Sequence, residues 1–124
     1  MMATRAYIED GYTEEGFIKE VPGIHEEVRF KFRPVLASKQ RETLDRWHEI
    51  KSEVKSERIN NLIKEQLVEW DLTFNKKLLP IETKILERLK QPVVDRIFNI
   101  ITSTDKSDEE LKKVLKQREE DAKN

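Results

Sequence analysis

The run Val28-Arg29-Phe30-Lys31-Phe32-Arg33-Pro34 constrains this chain more than any other stretch. Apolar and basic residues alternate with a period of two. That spacing places Val28, Phe30 and Phe32 on one face of a strand and Arg29, Lys31 and Arg33 on the other. Proline has no N–H to donate, so Pro34 ends the strand. Upstream, Phe17, Lys19 and Val21 alternate less cleanly, and Pro22-Gly23 is a turn signal. Strands are therefore expected near 16–21 and 28–33. A two-stranded hairpin is marginal in water. Its Val/Phe face needs a helix, or another chain, against it.

The segment after Pro34 reads as helical to about residue 70, with Ser38 as the candidate N-cap. Its apolar residues form two sets. Leu44, Trp47, Ile50 and Val54 make the first, and Ile59, Leu62, Ile63, Leu67 and Trp70 the second. At about 100° per residue the two stripes point roughly 160° apart. Either the helix breaks between them, near 51–58, or one helix packs two different things on opposite sides. No glycine or proline forces a break. The piece from Thr73 to Pro80 reads as a loop. Further helices are expected over about 81–90 and 93–102, separated by Pro92. The second of these is the most apolar region of the chain, and so the expected core.

These elements predict an α+β fold, mostly helical: an N-terminal hairpin packed on a long helix and two shorter C-terminal helices. Residues 1–11 show no period and read as a flexible arm. Residues 12–102 read as a single domain. The tail, 103–124, balances acidic and basic residues. It carries one short apolar stripe and a Ser107/Glu110 capping box, which suits a solvated helix or a disordered segment.

Composition narrows the function classes. Charged residues make up 40% of the chain and hydrophobic ones 36%, which predicts a thin core. The net charge of −1 gives no overall attraction to polyanions. There is no cysteine, which excludes disulfides, thiol nucleophiles and cysteine metal sites. No apolar run approaches the ~18 residues of a membrane span, and the N-terminus has no apolar signal region. The expected location is cytoplasmic.

No catalytic constellation is visible. His25 and His48 do not have metal-ligand spacing relative to the carboxylates. Acidic pairs such as Glu26-Glu27 and Glu119-Glu120 are expected by chance in so charged a chain, and nothing marks the apolar pocket that acid/base work needs. The three glycines match no phosphate-binding loop. No enzyme, cofactor or metal is expected. The interleaved "RFKFRP" could bind single-stranded nucleic acid through Arg29, Lys31 and Arg33. In a strand, however, rings and cations point to opposite faces, as they also do in an ordinary half-buried strand. Trp47 and Trp70 could be core residues or interface anchors. The candidate protein interface is Leu44, Trp47, Ile50, Val54 and Trp70.

The order "FKFRPVL", a long charged helix, "VEWDL", a short polar loop, "LP" and "IETKILERLKQPVVDRIFNII" resembles the tail assembly chaperones of long-tailed phages and prophages. The matching residues are Arg33-Pro34, Trp70-Asp71-Leu72, Lys76-Lys77-Leu78 and Pro80, and the resemblance covers about residues 12–102. The glycine of the family's loop is absent here, with Asn75 available for the turn. The charged tail has no counterpart in the resemblance. What the resemblance implies is a non-enzymatic adaptor in the bacterial host cytoplasm. It would coat the tape-measure protein, recruit tail-tube subunits and self-associate. Its Trp70 joint would set the angle between the long helix and the C-terminal helices. The other reading, a small nucleic-acid-binding or regulatory domain, would use the basic strand face.

Overall fold

The computed structural model describes residues 7–108. The arm expected over 1–11 and the tail expected over 103–124 therefore lie largely outside the described residues. The fold contains both helices and strands.

Strands β1 (Glu14–Ile18) and β2 (Val28–Phe32) form the expected antiparallel hairpin, with Ile18 opposite Val28 and Gly16 opposite Phe30. Val28, Phe30 and Phe32 are buried, while Arg29 and Lys31 on the other face are half-buried, as alternation requires. β1 stops at Ile18, short of the expected 21. A separate turn begins at Val21, which exchanges backbone hydrogen bonds with His25 around a left-handed Gly23.

The long helix expected over 39–70 is not continuous. α1 (Ala37–Thr43) is followed by a 3₁₀ turn (Trp47–Glu49) and then α2 (Ser52–Gln66). The break falls at 44–51, ahead of the 51–58 expected. Arg46 sits there in the left-handed region, φ 54°. The elbow is held from a distance: Arg58 Nη1 donates to the carbonyl oxygens of Thr43 (3.2 Å) and Asp45 (2.5 Å). A cation suits these C-terminal carbonyls both as a donor and as a charge against the helix dipole. Ser38 is not the N-cap. It lies inside α1, whose cap position is Leu36.

The chain becomes extended at Leu67, not after Trp70. β3 (Leu67–Trp70) pairs antiparallel with β2, making a three-stranded sheet in the order β1-β2-β3. Phe30 faces Trp70 and Phe32 faces Leu67, with an irregularity that leaves Val68 as the extra residue. The piece expected as a loop is a small hairpin. β4 (Thr73–Phe74) and β5 (Lys77–Leu78) flank Asn75 and Lys76, both at positive φ. Two consecutive positive-φ residues are the backbone of a type I′ turn, whose twist matches that of the strands.

α3 (Thr83–Leu86) is shorter than the 81–90 expected. α4 (Gln91–Ile101) agrees closely with the 93–102 expected, and Pro92 sits in its first turn. There the missing N–H would have no intrahelical partner in any case. Val93, Val94, Ile97, Ile100 and Ile101 are buried along one stripe of α4. They pack into one core with the Val/Phe face of β2, with Leu62 and Ile63 of α2, and with Leu67 and Trp70 of β3. The hairpin thus covers the second apolar set, not the first.

The fold does not end at 102. Asp108 N–H donates to Phe17 O at 2.7 Å, and Phe17 N–H donates to Ser107 Oγ at 2.5 Å. Lys19 N–H donates to Asp108 Oδ2 at 3.1 Å. Arg96 of α4 pins the same segment, donating from Nη2 to Lys106 O and Asp108 Oδ1. Its Nε lies 3.2 Å from Asp105 Oδ2 without the alignment of a hydrogen bond, so that contact is ionic. A boundary drawn from apolar content alone misses this segment, because its attachment is polar.

Candidate interaction surface

The expected interface residues fall in two different environments. Leu44, at the end of α1, is 37% exposed, and Trp47, Ile50 and Val54 are half-buried. They follow the elbow between α1 and α2. Lys55 Nζ lies 5.6 Å from the centre of the Trp47 ring, a cation–π contact on a partly wet surface. Beside them, Ala37, Gln40, Arg41 and Leu44 share one face of α1 and line a shallow groove of about 420 Å³. Leu36, just ahead of α1, is also exposed.

Trp70 does not belong with this group. Its ring is 5% exposed and lies in the core, and its indole N–H donates to Leu79 O at 2.7 Å. The neighbouring residues work the same joint. Asp71 N–H donates to Arg29 O, and Asp71 Oδ1 accepts from Arg29 N–H, both at 3.0 Å. Leu72 is buried, and its carbonyl accepts from Leu79 N–H at 2.9 Å. Trp70-Asp71-Leu72 therefore ties β3 to β2 on one side and to the base of the β4–β5 hairpin on the other.

That hairpin carries apolar residues which the sequence reading did not place at an interface. Phe74 is 67% exposed and Leu78 is 64% exposed. The available signal was Asn75-Lys76 between two short β-prone pairs. The lack of glycine at Lys76 hid it.

The basic strand face is compensated by its neighbours. Lys31 is flanked across the sheet by Glu15 on β1 and Glu69 on β3. Directly opposed cross-strand side chains lie about 4.5–5.5 Å apart at Cβ. Arg29 pairs with Glu27 at 3.8 Å and lies 5.1 Å over the Phe17 ring. Arg33 is exposed, and its backbone is fastened to Gln66 at the end of α2. Arg29 and Lys31 therefore stand among carboxylates, and of the three only Arg33 has none beside it among the described residues.

His25 Nδ1 is 2.7 Å from Glu26 O, and His48 is exposed. Among the described residues no group of His, Cys, Asp and Glu has the arrangement to hold a metal ion. No helix among them is long and apolar enough to cross a membrane. No protein-family model, curated protein or solved structure matches this chain.

Proposed function

We propose that the protein is a non-enzymatic, protein-binding adaptor of the phage tail assembly chaperone type, whose partners are a tape-measure protein, tail-tube subunits and further copies of itself. The observation that carries this reading is the motif Trp70-Asp71-Leu72 followed by a polar turn and Pro80, with a separate structural task for each of its three residues. The motif supports a rigid joint at the base of the β4–β5 hairpin, which holds that hairpin's exposed apolar residues in place. Phe74 and Leu78 project on the hairpin, and Leu36 and Leu44 flank α1. The exposed apolar pair on the hairpin suits a protein partner. The carboxylates beside Arg29 and Lys31 weigh against the nucleic-acid reading.

Sedimentation at micromolar to submillimolar concentration, paired with a fluorescence titration of single-stranded and duplex oligonucleotides, tests the proposal. The expected outcome is species larger than the 14.8 kDa monomer and no saturable oligonucleotide binding. A strict monomer that binds oligonucleotide with a steep salt dependence would overturn it in favour of the basic strand face.

A further inference from the structure

β1 is an edge strand of its sheet, and a strand edge offers backbone groups to other chains. In an antiparallel pair every second residue turns its N–H and C=O away from the neighbouring strand. On β1 the outward residues are Glu15 and Phe17, with Lys19 next in line. Phe17 fixes this phase, because its N–H and C=O bond to Ser107 and Asp108 rather than to β2. Residues 103–108 leave α4 and reach this edge as a strap. Asp108 N–H donates to Phe17 O, Ser107 Oγ accepts from Phe17 N–H, and Asp108 Oδ2 accepts from Lys19 N–H.

The strap is fastened as a latch and not as a strand. Two of those three bonds use a side chain, where a fourth strand would use its backbone. The strap has no apolar side chain to bury; residues 103–106 are exposed, and Ser107 and Asp108 are half-buried. Arg96 of α4 clasps it. Its Nη2 lies 3.1 Å from Lys106 O and 3.3 Å from Asp108 Oδ1, and its Nε lies 3.2 Å from Asp105 Oδ2. Among the described residues, Arg96 Nε is the one buried side-chain polar atom without a hydrogen bond. The clasp thus leaves a donor unspent, and its ionic contacts are partly open to solvent, where salt weakens them.

The edge beneath the strap is complementary to itself. A two-fold axis at Phe17 sets that residue opposite its own copy and sets Glu15 opposite Lys19 on both sides. The outward backbone groups of all three residues then pair, and a carboxylate faces an ammonium at each end. The like-charged pair Glu14–Glu20 falls outside this set, since β1 ends at Ile18. We infer that the 103–108 strap is a releasable latch on the β1 edge, and that its release joins β1 to the β1 of a second copy of this chain. Strand addition of this kind takes its affinity from main-chain hydrogen bonds, the same ones the strap occupies. The inference gives self-association an edge of its own, and it rests on bonds that the adaptor reading does not use.

The test compares the full wild-type chain with Arg96→Gln and with the double variant Asp105→Asn, Asp108→Asn, which undo the clasp from its two sides. Thermal unfolding verifies that each variant folds. Sedimentation equilibrium reads the dimer constant, and amide hydrogen exchange reads Glu15 and Phe17. Both variants are expected to dimerise at least tenfold more tightly than the wild type. The Glu15 amide, which the strap does not reach, should gain protection as concentration rises. Adding Glu15→Pro should return either variant to wild-type association, because proline there removes an outward N–H and no bond to β2. Unchanged association in the folded latch variants overturns the proposal. So does association that survives Glu15→Pro or leaves the Glu15 amide unprotected. None of these failures bears on the adaptor reading, which rests on the β4–β5 hairpin and the Trp70 joint.

Discussion

The indole N–H of Trp70 points out of the core onto the carbonyl oxygen of Leu79, 2.7 Å away, across the β4–β5 hairpin. A tryptophan in this position does two jobs. Its ring is buried in the core opposite Phe30, and its one polar atom closes the hairpin base. Trp70→Ala is expected to lower the unfolding free energy by about 3–5 kcal/mol through the cavity it leaves. Trp70→Phe keeps much of the ring but leaves the Leu79 carbonyl without that donor, and is expected to cost about 1–3 kcal/mol. Urea unfolding of both variants checks this. A cost below about 1 kcal/mol for the alanine would contradict the buried position.

Lys76 holds φ 66° in the turn of the hairpin, directly after Asn75 at φ 51°. Left-handed backbone costs a residue with a Cβ roughly 1–2 kcal/mol, and Asn-Gly is the favoured pair for this turn. Lys76→Gly is therefore expected to raise stability by about 0.5–1 kcal/mol, after the added freedom of glycine in the unfolded chain is subtracted. An increase in Tm with an unchanged m-value is the expected signature.

The parts of the fold visible in the sequence are those set by strictly local patterns. The alternation of Val28, Phe30 and Phe32 needs only the pleat, and the stripe from Val93 to Ile101 needs only the helical repeat. β3 was hidden for a specific reason. The irregularity at Val68 puts Leu67 and Trp70, three residues apart, on the same face of the sheet. Three is also a helical spacing, so the stripe of Ile59, Leu62 and Ile63 runs on into β3 without a change of period. The elbow after α1 was hidden differently. It uses no glycine or proline, and it is held by Arg58 from the next helix.

The segment from Ser103 to Asp108 supplies a clean comparison of two chain lengths. A chain ending at 108 keeps the hydrogen bonds of Ser107 and Asp108 to Phe17 and Lys19, and the carboxylates of Asp105 and Asp108 beside Arg96. A chain ending at 102 loses all of them. The expected difference is about 2–4 kcal/mol in favour of the longer chain, given about 1 kcal/mol for a net neutral hydrogen bond and more for charged ones. Equal stability of the two by denaturant titration would show that these bonds contribute nothing.

Gly16 is opposite Phe30 in the β1–β2 pair, and the Phe30 ring lies over it. A Cβ built on Gly16 would stand 2.2 Å from Phe30 Cζ, far inside contact distance. The backbone at Gly16 is ordinary strand, so the requirement is for space and not for an unusual φ. Gly16→Ala must push the ring aside, and Phe30 is already packed at 5.5 Å from Phe32, centre to centre. The expected cost is about 1–3 kcal/mol, the usual range for overpacking a close-fitting core. If the clash is with the ring, shrinking the ring should relieve it. Phe30→Leu is destabilising alone, yet the double variant Gly16→Ala, Phe30→Leu is expected to be more stable than the sum of the single losses allows. A double-mutant cycle reads this directly, with a coupling of at least about 0.5 kcal/mol in the compensating direction. Strict additivity would mean that the added methyl disturbs something other than the Phe30 ring.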